Sequence, residues 1–338
     1  MNILLIQLKR IGDLILTTPA IAAVREKFPR AEISLVVAAG TRELLPAIPH
    51  IDRALIAKGR ISTAAHWLTV ARRRYDYCLD FTRNDRSAFL TLLSGARQRV
   101  TADHPRQREK LRSLSYNKLV PVPIRLMHTV DYHLGLLEPL GINDGAQTLS
   151  LLLPTAALQK ADAVLASSGV SGGFVVVHPG SARAEKFWEP DRWAHIIDSA
   201  AERGLACIVT GGTSALERSH IALIKKRARA PLADISGKID LLTLAALIEK
   251  ARLLATVDSA PMHLAAAMQT PQVVLFGPTN PLHWRPRFSP ALILQAGQPA
   301  PVTEFSPKQR PVPMNQISTE QVIHAMEALL QAPRGAMV

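Results

Sequence analysis

The sequence predicts an α/β protein of two Rossmann-like parallel-sheet domains that face each other across a cleft. Its 338 residues exceed what one hydrophobic core comfortably serves, so two domains are the expected number. Apolar runs of strand length alternate with segments of helix length, which is typical of parallel α/β sheets. Residues 143–154 interrupt this alternation with Gly145 and Pro154, and they mark a linker between two similar halves.

Strands and helices alternate regularly in the first half. Residues 2–8 are an apolar run fit for a buried strand, and residues 14–28 follow as a helix in which Pro19 is an irregularity. The pattern continues with strands at residues 32–38, 53–57 and 77–81 and helices at residues 62–73, 85–94 and 128–140. We expect residues 1–150 to form the N-terminal domain.

The second half repeats this pattern after Gly172-Gly173. It contains predicted strands at residues 174–178, 206–210, 232–236, 253–257 and 272–276 and helices at residues 191–203, 214–228, 241–252 and 261–268. We expect residues 151–317 to form the C-terminal domain, with the Pro-rich residues 278–313 crossing back toward the first domain. The final segment, 318–338, carries an amphipathic helix that we expect to return to the N-terminal domain.

The composition is that of ordinary globular material, 48% hydrophobic and 20% charged. The apolar start stops within six residues and basic residues follow it, which is the wrong order and length for a signal peptide. No apolar run approaches the roughly 20 residues needed to cross a bilayer. Cys78 and Cys207 each lie in an apolar strand-like run, which fits a reducing compartment. We therefore expect a cytoplasmic protein.

A net charge of +13 favours polyanionic partners: nucleic acid, anionic lipid or a phosphorylated glycolipid. The alternative is a generally basic surface with no single target. A nucleic-acid-binding protein is the non-enzyme interpretation, but helix-turn-helix patterning, aromatic RNA-binding motifs and zinc fingers are missing, and aromatic residues make up only 5%. We therefore expect no nucleic acid partner.

The first motif is Lys9-Arg10-Ile11-Gly12-Asp13, between the first strand and the first helix. In a doubly wound sheet this position faces the ligand crevice, and Gly12 permits a tight turn and close approach of a ligand. Asp13 is alternatively a simple helix cap, because Asp is favoured at helix N-termini. The motif is not a dinucleotide fingerprint, since the three-glycine pattern is missing and Ala39-Gly40 stand where an acidic residue would end the second strand.

The second motif is Asp258-Ser259-Ala260-Pro261-Met262-His263, at the end of a strand. Pro261 fits the first turn of a helix, and the small residues before it leave the N–H groups of that turn open. With the positive end of the helix dipole, these groups form an anion site suited to a diphosphate. The alternative is a well-capped structural helix with His263 packed in the core.

The third motif runs from His178-Pro179-Gly180-Ser181 to Lys186 and Trp188. Gly180 and Ser181 supply N–H and hydroxyl donors at a strand end, and Lys186 supplies a point charge for phosphate. The alternative for Lys186 is an exposed loop lysine, and we interpret Trp188 as a packing anchor. Because Asp-x-Asp, HExxH and Cys/His clusters are missing, we predict neither a metal site nor a cofactor.

Together these motifs, followed by Phe276-Gly277-Pro278-Thr279, resemble the lipopolysaccharide heptosyltransferases (glycosyltransferase family 9). The resemblance covers nearly the whole chain, as far as Trp284-Arg285-Pro286. The segment from Leu136 to Ile142 and the Ser-Ala-Pro after Asp258 are most similar to the heptosyltransferase III branch. The resemblance implies the GT-B fold, with acceptor binding in the N-terminal domain and nucleotide-sugar binding in the C-terminal domain.

The activity implied by the resemblance is inverting, metal-independent transfer of L-glycero-D-manno-heptose from ADP-heptose to the inner core of lipopolysaccharide. Asp13 matches the general base, Glu217 the ribose contact and residues 237–242 the border of adenine. The implied donor site comprises Gly12, Gly180, Ser181, Lys186, Glu217, Asp258, Ser259, Ala260, Pro261, Met262 and His263. Alternative activities are those of another GT-B glycosyltransferase, acting on a different nucleotide sugar, or of a sugar-nucleotide epimerase.

Basic residues give the acceptor a candidate site in the N-terminal domain, because the inner core carries phosphates and acidic sugars that Arg binds well. The expected acceptor contacts are Lys9, Arg10, Arg97, Arg99, Arg106, Arg108, Lys110 and Arg112. The alternative for the cluster between Arg97 and Arg112 is a solvated basic loop. We expect a monomer that contacts the inner membrane surface peripherally, at its cytoplasmic face.

Overall fold

The computed structural model describes residues 1–57, 70, 73–103 and 111–332. It divides into two compact units, Met1–Leu152 and Leu153–Val338. Most of the predicted helix at residues 62–73 lies outside the described residues, as do Arg106, Arg108 and Lys110. Within the described part, no helix combines the length and the apolar character needed to span a membrane.

The first unit is built on a six-stranded parallel sheet with the order β3-β2-β1-β4-β5-β6. Its strands are β1 (Asn2–Gln7), β2 (Glu32–Ala38), β3 (Arg53–Ala57), β4 (Tyr77–Asp80), β5 (Gln98–Ala102) and β6 (Lys118–Val120). Its α-helices are α1 (Ile11–Ile15), α2 (Thr18–Lys27), α3 (Asp85–Leu93) and α4 (Thr129–Gly135), and 3₁₀ turns occur at Ala39–Ala47, Leu111–Ser115, Ile124–Leu126 and Glu138–Leu140. The four inner residues of the central strand β1 are all apolar and buried, as expected for a strand that is covered on both faces.

The predicted helix at residues 14–28 is two helices. The Thr17 hydroxyl donates to the carbonyl of Asp13 at 2.8 Å, and the Thr18 hydroxyl donates to the carbonyl of Ile15 at 2.8 Å. Pro19 has no N–H with which to continue the α1 hydrogen-bond ladder, so the chain restarts as α2 with proline in its first turn. The break holds Asp13 in a single short turn directly after β1.

The basic stretch after residue 95 is more ordered than expected. It contains β5 and β6, which extend the sheet beyond β4. Their sequences, QRVTA and KLV, mix polar and apolar residues without regular alternation and are too short to predict a strand. The alternative interpretation of this stretch as a solvated loop is therefore wrong for its described part.

The second unit has an equivalent parallel sheet with the order β12-β11-β10-β7-β8-β9. Its strands are β7 (Phe174–His178), β8 (Ala206–Val209), β9 (Ala233–Asp234), β10 (Leu253–Val257), β11 (Gln272–Phe276) and β12 (Ala291–Gln295). Its α-helices are α5 (Thr155–Ser167), α6 (Pro190–Glu202), α7 (Ala215–Arg227), α8 (Leu241–Lys250), α9 (Ala260–Ala267), α10 (Pro281–Trp284) and α11 (Thr319–Gln331), with 3₁₀ turns at Ala184–Lys186 and Met314–Gln316.

Two expectations about the end of the chain are wrong. The Pro-rich residues 278–313, expected to cross back toward the first domain, contain β12, which pairs with β11 in the second sheet. Helix α11 also packs in the second unit, because its apolar residues Val322, Met326 and Leu329 belong to the same buried cluster as Trp193 of α6. Helix α5, which precedes Gly172-Gly173, was not predicted.

Candidate functional site

The strand order places one crevice at the carboxyl edge of each sheet. In the first sheet the order reverses between the neighbouring strands β1 and β4, and in the second between β7 and β10. In open α/β sheets, ligands bind outside the carboxyl ends of the strands at such a reversal. The Asp13 motif follows β1, while the Lys186 and Asp258 motifs follow β7 and β10. All three motifs therefore lie at a reversal point.

A buried ion pair joins the two motifs of the second unit. The ammonium of Lys186 lies 2.6 Å from Oδ2 of Asp258 and donates to the Asp258 carbonyl at 3.0 Å. The hydroxyl of Thr279 donates to the same Oδ2 at 2.6 Å. Only 11% of the Lys186 side chain and 10% of the Asp258 side chain is exposed, so Lys186 is not the exposed loop lysine of the alternative interpretation.

Helix α9 starts beside this pair with fewer free N–H groups than the motif predicted. The Ser259 hydroxyl donates to the Val257 carbonyl at 3.2 Å and does not cap the helix. Pro261 has no N–H, and that of Met262 donates to the Ser259 carbonyl at 3.2 Å. Within the described residues, the N–H groups of Ser259 and Ala260 have no hydrogen-bond partner. Two N–H groups, and not the whole stretch 259–262, are therefore open to an anion.

The rest of the first turn of α9 is core. The Met262 side chain is fully buried against Val274, Phe276 and Ile293. Pro261 and His263 are also buried. These three residues shape the start of the helix from inside the second unit.

Glu217 lies against the backbone of two glycines at the ends of neighbouring strands. Its Oε1 accepts the N–H of Gly212 at 3.2 Å, and its Oε2 accepts the Ser214 hydroxyl at 2.9 Å. A Cβ atom at Gly180 or at Gly212 would collide with the Glu217 carboxylate. The carboxylate is therefore fixed between the loops that follow β7 and β8. Its proposed contact with ribose stays a prediction.

Three more residues of the third motif, His178, Ser181 and Trp188, are buried. Nδ1 of His178 is 2.9 Å from the Thr210 hydroxyl, and burial lowers the pKa of His178 to about 4. Ser181 is 8% exposed at the same strand end. Trp188 is fully buried, and its Nε1 donates to the Ile317 carbonyl at 3.0 Å, so its interpretation as a packing anchor is confirmed.

Asp13 keeps its carboxylate accessible at the carboxyl end of β1. Its Oδ2 accepts the N–H of Arg10 at 3.4 Å, and the Lys9 ammonium is 3.9 Å from Oδ1. The side chain remains 19% exposed, so a weak helix cap and an accessible carboxylate coexist. Gly12 is the second residue of α1 and adopts no left-handed turn, contrary to the tight turn expected there.

The described basic residues that were expected to contact an acceptor lie at opposite edges of the first sheet. Arg97 precedes β5 and Arg99 is its second residue, so both lie at the amino end of a strand, opposite to Lys9. Arg99 also donates to the carbonyls of Ser115 and Ala96, at 2.8 and 3.1 Å. Arg10 is exposed beside Asp13. Arg112 hydrogen-bonds to the loop after β4, on the carboxyl side of the sheet.

Sequence reasoning missed Asp80 and Arg83, at the end of β4. Asp80 is fully buried and accepts from Thr82 N, Arg83 N, Ser87 Oγ and Tyr116 Oη, at 2.8, 3.1, 2.7 and 2.6 Å. Burial raises its pKa. The available signal was a polar cluster after a buried strand, but only the strand order shows that β4 is the neighbour of β1.

The chain is similar to known proteins of one family. Residues 63–306, more than half of the chain, match the model of glycosyltransferase family 9 (heptosyltransferase). Lipopolysaccharide heptosyltransferase 3 of Escherichia coli strain K12 is 30% identical over 333 residues, which cover 94% of this chain and 95% of the relative.

Solved structures have the same fold. A family 9 glycosyl transferase from Veillonella parvula DSM 2008 is 25% identical with a TM-score of 0.84 and covers 97% of each chain. The E. coli heptosyltransferase WaaC, solved with ADP, is 21% identical with a TM-score of 0.71, again over 97% of each chain. The family match and the 30% identity confirm the resemblance seen in the motifs. This chain therefore belongs to glycosyltransferase family 9, the heptosyltransferase family, and is a glycosyltransferase.

Proposed function

We propose that this chain transfers L-glycero-D-manno-heptose from ADP-heptose to the inner core of lipopolysaccharide, by an inverting reaction that needs no metal ion. The observation that carries the proposal is the buried Lys186 ammonium, held by Asp258 next to the two open N–H groups at the start of α9. The name of the E. coli relative, lipopolysaccharide heptosyltransferase 3, and the ADP of the WaaC structure support the same substrates.

The second unit binds the donor. Lys186 uses two hydrogen bonds on Asp258, and an ammonium has three donors, so one remains for a diphosphate oxygen. The N–H groups of Ser259 and Ala260, at the positive end of α9, and the Ser181 hydroxyl complete the diphosphate site. These fixed donors stabilise the charge that develops on ADP as it leaves.

We assign the remaining donor contacts as the family resemblance implies. Glu217 accepts a ribose hydroxyl, and residues 237–242 border adenine. Asp258, held by Lys186 and by Thr279, contacts a hydroxyl of the heptose. Gly180 supports this contact indirectly, because its missing side chain leaves room for the Glu217 carboxylate beside the loop after β7.

The first unit binds the acceptor and supplies the base. An acceptor hydroxyl attacks the anomeric carbon from the face opposite ADP, a C–O bond forms, and the bond to the leaving phosphate oxygen breaks with its electron pair. Asp13 takes the hydroxyl proton. Because a carboxylate is a weak base for an alcohol, this transfer is late and accompanies the departure of ADP from an oxocarbenium-like centre.

The acceptor places the enzyme at a membrane surface. We propose that the chain acts as a monomer at the cytoplasmic face of the inner membrane, in peripheral contact with anionic lipid through its excess of basic residues.

The test is an activity assay with a panel of nucleotide sugars. The purified enzyme is incubated with core lipopolysaccharide from a strain that lacks this gene, and products are identified by mass spectrometry and NMR. We expect one added heptose from ADP-heptose, an anomeric configuration opposite to that of the donor, and full activity in EDTA. Transfer only from another nucleotide sugar, epimerised donor without transfer, or loss of activity in EDTA restored by Mg²⁺ would each contradict the proposal.

A further inference from the structure

The loops that follow β1 and β4 are tied together at the reversal point of the first sheet. The N–H of Leu8 donates to the Thr82 hydroxyl at 2.6 Å. Lys9 and Arg83 are the next residues along the two loops. A basic side chain from each loop therefore flanks the same hydrogen bond, at the crevice edge that also carries Asp13.

The backbone of Arg83 is held in an unfavourable conformation. Its φ is +62°, in the left-handed region that residues other than glycine seldom adopt. Oδ1 of the buried Asp80 fixes this turn by accepting the N–H groups of Thr82 and Arg83. Strain of this kind persists only where the surroundings enforce it, and it concentrates at binding and catalytic sites.

The guanidinium of Arg83 is positioned but not neutralised. It lies over the Tyr132 ring, 4.9 Å from the centroid, and its Nε is buried with no hydrogen-bond partner among the described residues. The carboxylate of Asp80 is already occupied by four donors. In the part of the chain that the structure describes, no carboxylate forms an ion pair with Arg83.

Further positive charge surrounds this guanidinium. Arg112 donates from Nη1 to the carbonyl of Arg83 at 3.3 Å. Burial and the proximity of Arg83 both lower the pKa of Lys9, which Asp13 only partly offsets. Lys9 pairs with Asp13 at 3.9 Å and Arg112 pairs with Asp85 at 3.3 Å. Among these three described cations, Arg83 is therefore the one without a carboxylate partner, which favours binding of an anion there.

We propose that Arg83, with Lys9 as a second cation, binds an oxyanion of the acceptor, either a phosphate or a carboxylate. The planar fork of Arg83 suits two oxygens of one such group, and its stacking on Tyr132 fixes the plane of the fork. The position beside Asp13 would direct an acceptor hydroxyl toward the base. This inference rests on the proposed function for the nature of the acceptor.

The test compares Arg83→Asn with Arg83→Lys. Asn tolerates a positive φ and removes the charge, whereas Lys keeps the charge without the fork. Arg30→Asn is the matched control, because Arg30 is an exposed arginine just before β2, at the amino edge of the same sheet. The probes are O-deacylated core lipopolysaccharide and the same material after hydrofluoric acid has removed its phosphates. Binding is measured without donor, and acceptor KM, donor KM and kcat are measured in the transfer assay.

We expect Arg83→Asn to weaken core binding and to raise the acceptor KM about 10- to 100-fold, with donor KM unchanged and partial recovery in Arg83→Lys. A defect seen only with the phosphorylated core identifies the oxyanion as phosphate, and an equal defect with both cores identifies it as carboxylate. Wild-type behaviour of Arg83→Asn, or a rise in donor KM alone, would overturn the inference. Failure of the wild type to bind or modify either core would instead count against the proposed function.

Discussion

The ammonium of Lys186 and the carboxylate of Asp258 form a buried ion pair, 2.6 Å from Nζ to Oδ2, across the reversal point of the second sheet. Thr279 adds a second donor to the same oxygen. A buried charge without its partner is costly, so each member of the pair keeps the other in place. In our account the pair therefore has two functions, to stabilise the second unit and to present a lysine to the donor diphosphate.

Replacing Lys186 should affect both functions. Lys186→Met leaves the Asp258 carboxylate buried without a counter-ion, so we expect a loss of about 3 kcal/mol in the free energy of unfolding. It also removes a charged phosphate contact, so ADP should bind about 10- to 100-fold more weakly. Denaturant unfolding and calorimetric titration with ADP measure the two effects.

The control for that prediction is the double variant Lys186→Met/Asp258→Asn. It removes the uncompensated charge, so most of the lost stability should return while ADP binding stays weak. ADP affinity equal to that of the wild type in Lys186→Met would remove Lys186 from the donor site.

A methyl group at Gly180 should weaken nucleotide binding through Glu217. The added Cβ of Gly180→Ala would collide with the Glu217 carboxylate and displace it from Gly212. We expect ADP affinity to fall about 10-fold, since one ribose contact is lost. Gly172→Ala is the matched control, because a Cβ there meets nothing within 4 Å. Equal ADP affinities in the two variants would show that Glu217 does not contact the nucleotide.

The buried His133 should make the stability of the first unit depend on pH. Its Nδ1 is 3.0 Å from the carbonyl of Leu16, and burial lowers its pKa from 6.5 to about 3. Below pH 6.5 the unfolded chain binds a proton at this residue while the folded chain does not. The free energy of unfolding therefore decreases as the pH decreases. The loss amounts to about 2 kcal/mol between pH 6.5 and 5.

His133→Asn tests this contribution, because its side-chain amide keeps a donor for Leu16 but cannot titrate. We expect the variant to be less stable than the wild type at pH 7 and to recover about 2 kcal/mol of the difference by pH 5. Unfolding titrations at both pH values measure the difference. Parallel pH profiles would mean that His133 is protonated in the folded protein.

The sequence predicts the strands that are buried on both faces. All but one residue in each of β7 and β10 is apolar, so composition alone locates them. The short strand β5 mixes polar and apolar residues and depends on pairing with β4, which sequence periodicity does not reveal. The apolar β12 lies among prolines that suggested a crossover, although Pro290 only precedes the strand.

The candidate site, like the strands, could be predicted from the sequence only in part. Lys186 and Asp258 each stand in a motif at a strand end, and the fold brings both to one reversal point. Arg83 belongs to no motif, because its role depends on the strand order and on a left-handed turn that Asp80 enforces. The number of open N–H groups at α9 depends on the hydrogen bond from Met262 to the Ser259 carbonyl, which only the structure provides.

Our claim that Asp13 is the base for heptosyl transfer can be checked by the turnover of Asp13→Asn. Asn keeps an oxygen for the N–H of Arg10, so it preserves the helix cap and removes only the basicity. With saturating core lipopolysaccharide and ADP-heptose, we predict that kcat falls at least about 100-fold while ADP affinity stays within about twofold of the wild type. Turnover close to that of the wild type would contradict the claim and leave Asp13 as a helix cap.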